Sequence, residues 1–139
     1  MRLDVIELKE FYSSTELGRA TKQLINRVLE AKIETASGSL TIGFGFAGPF
    51  LENKLKESAN KDILLLMPSE QGVISWPEKQ KSVSALVDEV SWPVNTSSAD
   101  LILIAHGLEV SDNQDLLLQE VRRVLKDNGK LVILVPNRT

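Results

Sequence analysis

The sequence predicts an α/β domain with a parallel sheet and helices on both of its faces. Short, nearly continuous apolar runs alternate with segments in which apolar residues recur every three or four positions. Strands that are apolar on both faces are typical of parallel sheets covered by helices. Their alternation with helices favours right-handed crossovers. The 139 residues suit a single domain, with a helical segment over about 1–32 and a core over about 38–136.

Buried strands are the clearest elements of this prediction. They are expected at Ser39–Phe44, Asp62–Met67, Asp100–Ala105 and Lys130–Val135, with Ser84–Val87 as a weaker fifth candidate. Gly72, Pro77 and several charges in the segment 68–82 predict a loop there in place of a crossover helix.

The helices follow the other periodicity. A helix is predicted from Thr15 onward, with Ser14 as its N-cap. Its apolar stripe consists of Leu17, Ala20, Leu24, Ile25, Val28 and Leu29. A second helix is predicted over 113–126, capped by Asp112 and ended by left-handed residues at 127–129. A short helix is predicted from Pro49 to about Ala59.

Composition excludes several kinds of site. The chain has no cysteine, which excludes disulfides and thiolate zinc sites, and its single histidine, His106, cannot form a multi-histidine metal site. A formal net charge of −3 gives no reason to expect nucleic acid or anionic lipid as a partner. No apolar run approaches the roughly 20 residues of a membrane helix. Asp4 lies where a signal peptide would have its apolar core, so we predict a cytoplasmic protein. The composition also leads us to predict no metal site.

A glycine loop is the most informative motif. Gly43, Gly45 and Gly48 follow a predicted strand and precede a predicted helix. Glycines in this context allow a tight turn and close approach of backbone N–H groups to a nucleotide cofactor. A dinucleotide such as NAD also needs an acid at the end of the second strand, where this chain has Met67-Pro68. A turn that binds nothing remains an alternative.

The C-terminal half carries a resemblance to a known family. The stretch 100–109 is followed by a helix ending in Arg123-Val124-Leu125-Lys126, then Gly129 and an apolar strand, and Trp92-Pro93 precedes it. With the glycine loop, about residues 39–135 resemble S-adenosylmethionine-dependent methyltransferases of the type 11 class. The resemblance implies a Rossmann-like sheet of strand order three-two-one-four-five that lacks the family's last two strands, and a chain truncated at its C-terminal end.

The same resemblance implies a cofactor site for S-adenosylmethionine. Carried over by position, it comprises Thr41, Gly43, Phe44, Gly45, Ala47, Glu70, Asp88 and Ala105. The glycine loop would pass the amino-acid portion of the cofactor, and Asp88 would meet the adenine amino group. Thr41 stands where the family has an acid near the methionine ammonium. Met67-Pro68 stands where an acid holds the ribose, leaving Glu70 as the nearest carboxylate.

Three functions stay open on this reading. The first is methyl transfer to an acceptor that the sequence does not name, with His106 either a general base or a loop histidine held by backbone groups. The second is a non-catalytic interaction module, and the third an NAD-type domain. An apolar edge at Leu131–Val135 also predicts a homodimer, because unpaired strand edges attract other chains.

Overall fold

The computed structural model describes residues 5–32, 40–51, 63–68, 84–108 and 111–135. Its helices are α1 (Val5–Ser14), α2 (Glu16–Lys32) and α3 (Gln114–Val124). Its strands are β1 (Thr41–Gly45), β2 (Ile63–Pro68), β3 (Ser84–Val87), β4 (Ala99–Ala105) and β5 (Leu125–Leu134). A single 3₁₀ turn, Gly48–Phe50, begins the predicted short helix, whose remainder lies outside the described residues, as does the loop predicted over 68–82.

The strands form one parallel sheet in the order β3-β2-β1-β4-β5. Both the predicted fold class and the strand order that the resemblance implies are therefore confirmed. In register, Thr41 lies between Ile63 and Leu101. The strand order reverses between β1 and β4, and the carboxyl ends of the strands at such a point are where open α/β sheets bind ligands.

Two buried clusters cover the two faces of the sheet. The first joins α1 to the residues after β1, and its members include Leu8, Tyr12, Phe46, Phe50, Leu51, Leu65, Met67 and Leu103. The second joins α3 to the opposite face, and its members include Ile42, Phe44, Leu66, Trp92, Ile102, Ile104, Leu117 and Val121. Helices thus pack on both faces, as the uninterrupted apolar strands predict.

The apolar stripe predicted on the N-terminal helix is partly wrong. Leu17 is 70% exposed and Leu24 is 62% exposed, whereas Ile25 packs against the first cluster. A separate helix, α1, precedes α2 and supplies the buried Leu8 and Tyr12. Because α1 covers this part of the sheet, the described side of α2 that bears Leu17 and Leu24 faces outward.

The junction between α3 and β5 also differs from the prediction. Asn113, one residue after the predicted cap, accepts a hydrogen bond from the Leu116 amide at 3.2 Å. The helix ends at Val124, because Leu125 is already extended and pairs with Ala99. Residues 126–129 then lie between the pairs Ala99–Leu125 and Leu101–Lys130, and we call them the β5 bulge. The residues predicted to end the helix therefore belong to a register shift within the strand.

Within the described ranges, no helix combines the length and the apolar character needed to cross a membrane.

Candidate functional site

The glycine turn closes directly onto the end of β4. Gly45 has φ +81°, and a Cβ atom there would lie 2.4 Å from the carbonyl oxygen of Ala105. The Phe46 amide donates to that same carbonyl at 2.7 Å. Only glycine accommodates both the left-handed backbone and this close approach. The turn is therefore fixed against β4 at the point where the strand order reverses.

The other predicted turn residues are buried and serve packing. A Cβ atom on Gly43 would lie 2.8 Å from the Cβ of Ala47 and 2.8 Å from Leu51 Cδ1, so glycine lets the segment after the turn pack on β1. Phe44 points to the opposite face, where its ring stacks on Trp92 at a centroid distance of 5.1 Å. The side chain of Phe44 thus belongs to the core on the α3 side.

The resemblance predicts that Thr41 stands where the family has an acid near the methionine ammonium. It is fully buried, and among the described residues its Oγ1 has no hydrogen-bond partner. A buried hydroxyl without a partner costs about 1–3 kcal/mol. This orphaned polar atom, which also lacks negative charge, is the clearest local departure from an ordinary core strand.

His106 follows β4 and meets a residue that sequence reasoning missed. Its Nε2 lies 2.6 Å from the hydroxyl oxygen of Tyr12, 94 residues earlier in the chain. His106 has φ +54°, and its amide donates to the carbonyl of Leu134 at 3.2 Å. Burial lowers the pKa of His106 below its ordinary value of 6.5. Burial therefore favours the neutral form of the imidazole.

Tyr12 is held by aromatic rings beside the turn. It is 5% exposed, lies near-parallel to Phe46 at a centroid distance of 5.7 Å, and meets Phe50 edge-on at 5.4 Å. No local sequence signal links Tyr12 to His106, because α1 reaches the carboxyl edge of the sheet only through tertiary packing. Ala105, buried and immediately before His106, contributes its carbonyl to the turn.

Asp88 follows β3 at the same edge of the sheet. It is exposed, and its Oδ1 accepts a hydrogen bond from the Val90 amide at 3.1 Å. The neighbouring Glu89 accepts from the hydroxyl of Ser111 at 2.9 Å. The Asp88 carboxylate is thus oriented by its own turn and reaches solvent at the edge where strands β1 to β4 end.

A polar clamp that the sequence did not predict fixes the link between β3 and β4. Glu120 on α3 accepts from the Trp92 amide at 2.5 Å and from Arg123 Nε at 2.6 Å. Arg123 also donates to the Trp92 carbonyl at 3.1 Å. Its guanidinium is the main reason that the pKa of Glu120 lies below its ordinary value. The guanidinium of Arg123 thus connects α3 to this link.

Glu70 is the remaining predicted acid, and the end of β2 is apolar. Glu70 lies outside the described residues, while Met67 and Pro68 are buried. Across the described ranges, no group of acidic or histidine side chains has the arrangement of a metal site.

These residues fit some parts of S-adenosylmethionine better than others. The turn at Gly45 and the Tyr12–His106 pair lie at the carboxyl edge of the sheet, where the amino-acid portion would pass, whereas the Thr41 hydroxyl lies at the start of β1. Asp88 offers a carboxylate acceptor for the adenine amino group. Met67 and Pro68 provide no side-chain acceptor for the ribose hydroxyls. The fit is thus good at the two ends of the cofactor and poor at the ribose.

Comparison with known proteins agrees with the fold and the turn. A family model described as a methyltransferase domain matches residues 40–133. No curated protein matches the chain. Among solved structures, the chain is similar to an S-adenosylmethionine-dependent methyltransferase from Aquifex aeolicus, with 15% identity and a TM-score of 0.66, over 95% of this chain and 72% of that one.

Two further structures share the fold. One is an S-adenosylmethionine-dependent methyltransferase from Thermotoga maritima, with 19% identity and a TM-score of 0.59, over 81% of this chain and 50% of that one. The other is a geranyl diphosphate C-methyltransferase from Streptomyces coelicolor in complex with S-adenosylhomocysteine, with 12% identity and a TM-score of 0.60, over 85% of this chain and 46% of that one. The chain thus spans only half the length of the Thermotoga protein. Because the family model covers most of the sheet and the glycine turn, the chain belongs to the methyltransferase domain family.

Proposed function

We propose that this chain is the cofactor-binding part of an S-adenosylmethionine-dependent methyltransferase. The observation that carries the proposal is the glycine turn at Gly45, closed onto Ala105 where the strand order reverses. The family match supports the same function, since it spans this turn.

The described residues would bind and orient the cofactor from two sides. The turn at 45–47 would line its amino-acid portion, and the Asp88 carboxylate would accept a hydrogen bond from the adenine amino group. The buried rings of Tyr12 and Phe46 would exclude water beside the turn. When bound, the cofactor supplies an electrophilic methyl group on a sulfonium. Holding it in a fixed position lets proximity and orientation provide most of the rate.

Isothermal titration with S-adenosylmethionine, S-adenosylhomocysteine and NAD tests this proposal. We expect binding of the first two in the micromolar range and no binding of NAD. Gly45→Val should abolish binding, because its side chain would overlap the Ala105 carbonyl. Circular dichroism must show that the variant is folded. No detectable binding of S-adenosylmethionine or S-adenosylhomocysteine at millimolar concentration would contradict the proposal.

A non-catalytic interaction module is the second candidate function. Two observations favour it: the hydroxyl of Thr41 and the buried Met67 replace the acids that hold the cofactor in the family. A folded protein that binds none of the three ligands would support this function. NAD is the weaker rival, since the described end of β2 carries no acid for a ribose.

We also propose that two copies of the chain associate through β5. This strand is the last in the sheet order, and Leu131, Ile133 and Val135 are 38%, 37% and 53% exposed. Their spacing of two residues places them on one face, beside a strand edge that no other described strand pairs. Such an edge favours pairing with a second copy.

A further inference from the structure

We propose that the Tyr12 hydroxyl and the His106 imidazole form a carboxylate-binding pair that holds the amino-acid end of the cofactor. The inference rests on the proposed function. It states that this chain binds the amino-acid end of the cofactor through its carboxylate rather than through its ammonium group. Where the family places an acid near the ammonium, the chain has the uncharged hydroxyl of Thr41. The pair would instead recognise the carboxylate.

The position of the pair supports this assignment. Tyr12 stacks on Phe46, whose amide is bonded to the Ala105 carbonyl immediately before His106. A Cβ atom on Gly45 would also lie 3.2 Å from the Cα of Gly107. The hydroxyl and the imidazole therefore stand where the glycine turn and the end of β4 meet.

The backbone of His106 supports a role beyond packing. A left-handed conformation is unfavourable for any residue with a Cβ, and such strain concentrates at functional sites. The amide bond to Leu134 on β5 and the 2.6 Å contact with Tyr12 on α1 hold the residue in this conformation. Two separate elements thus fix the imidazole at the edge of the sheet.

The chemistry of the two groups suits a carboxylate. A phenol and an imidazole both donate hydrogen bonds, and a protonated imidazole adds a charge-assisted one. In the imidazolium, Nε2–H donates to the Tyr12 oxygen whichever neutral tautomer is present at the start. The Tyr12 hydroxyl contacts the ring, and burial lowers the pKa of His106. A bound carboxylate would raise this pKa again, so binding should draw one proton from solvent onto the imidazole.

The test compares S-adenosylhomocysteine with methylthioadenosine, which keeps the adenosine and the thioether but lacks the amino and carboxyl groups. Tyr12→Phe keeps the ring stacking, and His106→Asn suits a left-handed backbone. We expect each variant to lower the affinity for S-adenosylhomocysteine about tenfold to a hundredfold, as for loss of a hydrogen bond to a charged group. Affinity for methylthioadenosine should not change. Ser13→Ala removes an exposed hydroxyl from the same helix and serves as the matched control.

Proton uptake gives an independent readout. Titrations near pH 7 in buffers of different ionisation enthalpy should show uptake when the wild-type protein binds S-adenosylhomocysteine. They should show none with methylthioadenosine, and none with His106→Asn.

The outcomes separate this inference from the proposed function. If the variants weaken both ligands equally, or weaken neither, the pair does not hold the carboxylate although the cofactor site stands. If the wild-type protein binds neither ligand, the proposed function fails and this inference fails with it.

Discussion

Leu40 and Asp100 exchange two hydrogen bonds at the amino ends of neighbouring strands. The Asp100 amide donates to the Leu40 carbonyl at 2.9 Å, and the Leu40 amide donates to the Asp100 carboxylate at 3.0 Å. The same carboxylate meets Lys126 Nζ at 3.2 Å. A single side chain therefore fixes the register in which β1 and β4 begin, opposite the edge that bears the glycine turn.

We expect Asp100→Ala to lower the free energy of unfolding by about 1–2 kcal/mol, because the Leu40 amide loses a charged acceptor. Urea denaturation followed by circular dichroism measures this change. Lys126→Met removes only the exposed ion pair and should cost less than about 1 kcal/mol. Equal losses in the two variants would show that the ion pair, rather than the backbone contact, is what stabilises the strands.

Gly45→Ala should destabilise the protein by at least about 2 kcal/mol, since the left-handed backbone alone costs about 1–2 kcal/mol for a residue with a Cβ. The new Cβ would also lie 2.4 Å from the Ala105 carbonyl. Ser97, with φ +53°, provides the opposite substitution as a control, because Ser97→Gly removes the backbone strain of a serine in the left-handed conformation. Urea denaturation of Ser97→Gly should show unchanged or slightly higher stability. A tolerated Gly45→Ala would contradict the close approach of the turn.

Acid should weaken the clamp on Trp92. The pKa of Glu120 is lowered in the folded protein, mainly by its hydrogen bond to Arg123. The stabilisation is therefore complete above the ordinary value of 4.5 and is lost as pH falls below it, through the lowered pKa. In thermal unfolding between pH 6 and pH 3, Glu120→Gln should show a smaller decrease of midpoint than the wild type. Gln119→Ala, at the exposed position next to Glu120 on α3, removes no carboxyl and should leave the decrease unchanged.

Asp88→Asn should lower the affinities for S-adenosylhomocysteine and methylthioadenosine by the same factor, about tenfold, because both ligands carry the adenine amino group. Asp88 is exposed, so the variant should fold normally. Calorimetry with both ligands measures the effect, and Asp127→Asn, in the β5 bulge, is the control. An unchanged affinity would remove Asp88 from the cofactor site.

Sedimentation equilibrium tests the proposed dimer. We expect the wild-type chain to be dimeric at high concentration and Ile133→Lys to be monomeric, because a charge would be buried in the paired edge. Leu116→Lys places the same charge on α3, where the leucine is already 44% exposed, and should remain dimeric. A stable wild-type monomer would count against the β5 interface.

The sequence predicted the sheet well because each strand is defined by local composition. Ser84–Val87 matches β3, and Ile63–Pro68 lies within one residue of the prediction at each end. The helix ends were less predictable. Asn128 and Gly129 carry a strong turn signal, but the pairing of Leu125 with Ala99 draws the chain into the sheet before that signal is reached.

The site was only partly predictable for a related reason. The glycine turn is a local motif, and its position after β1 follows from neighbouring residues. Tyr12 and His106 meet only because α1 packs over the carboxyl edge, which no periodicity in the helix encodes. Arg123 similarly binds Trp92 across 31 positions of the chain. Contacts of this kind depend on tertiary packing and not on local pattern.

The β5 bulge allows the length of this helix–strand junction to change while the register of the sheet stays the same. Leu125 is held by Ala99 and Lys130 by Leu101, so residues 126–129 can change in number without moving either anchor. Lengthening such a loop costs little, since closure entropy grows only with the logarithm of its length. Asp127 and Asn128 are exposed, which makes this junction a suitable place to insert a fluorophore or an affinity peptide while the sheet keeps its register.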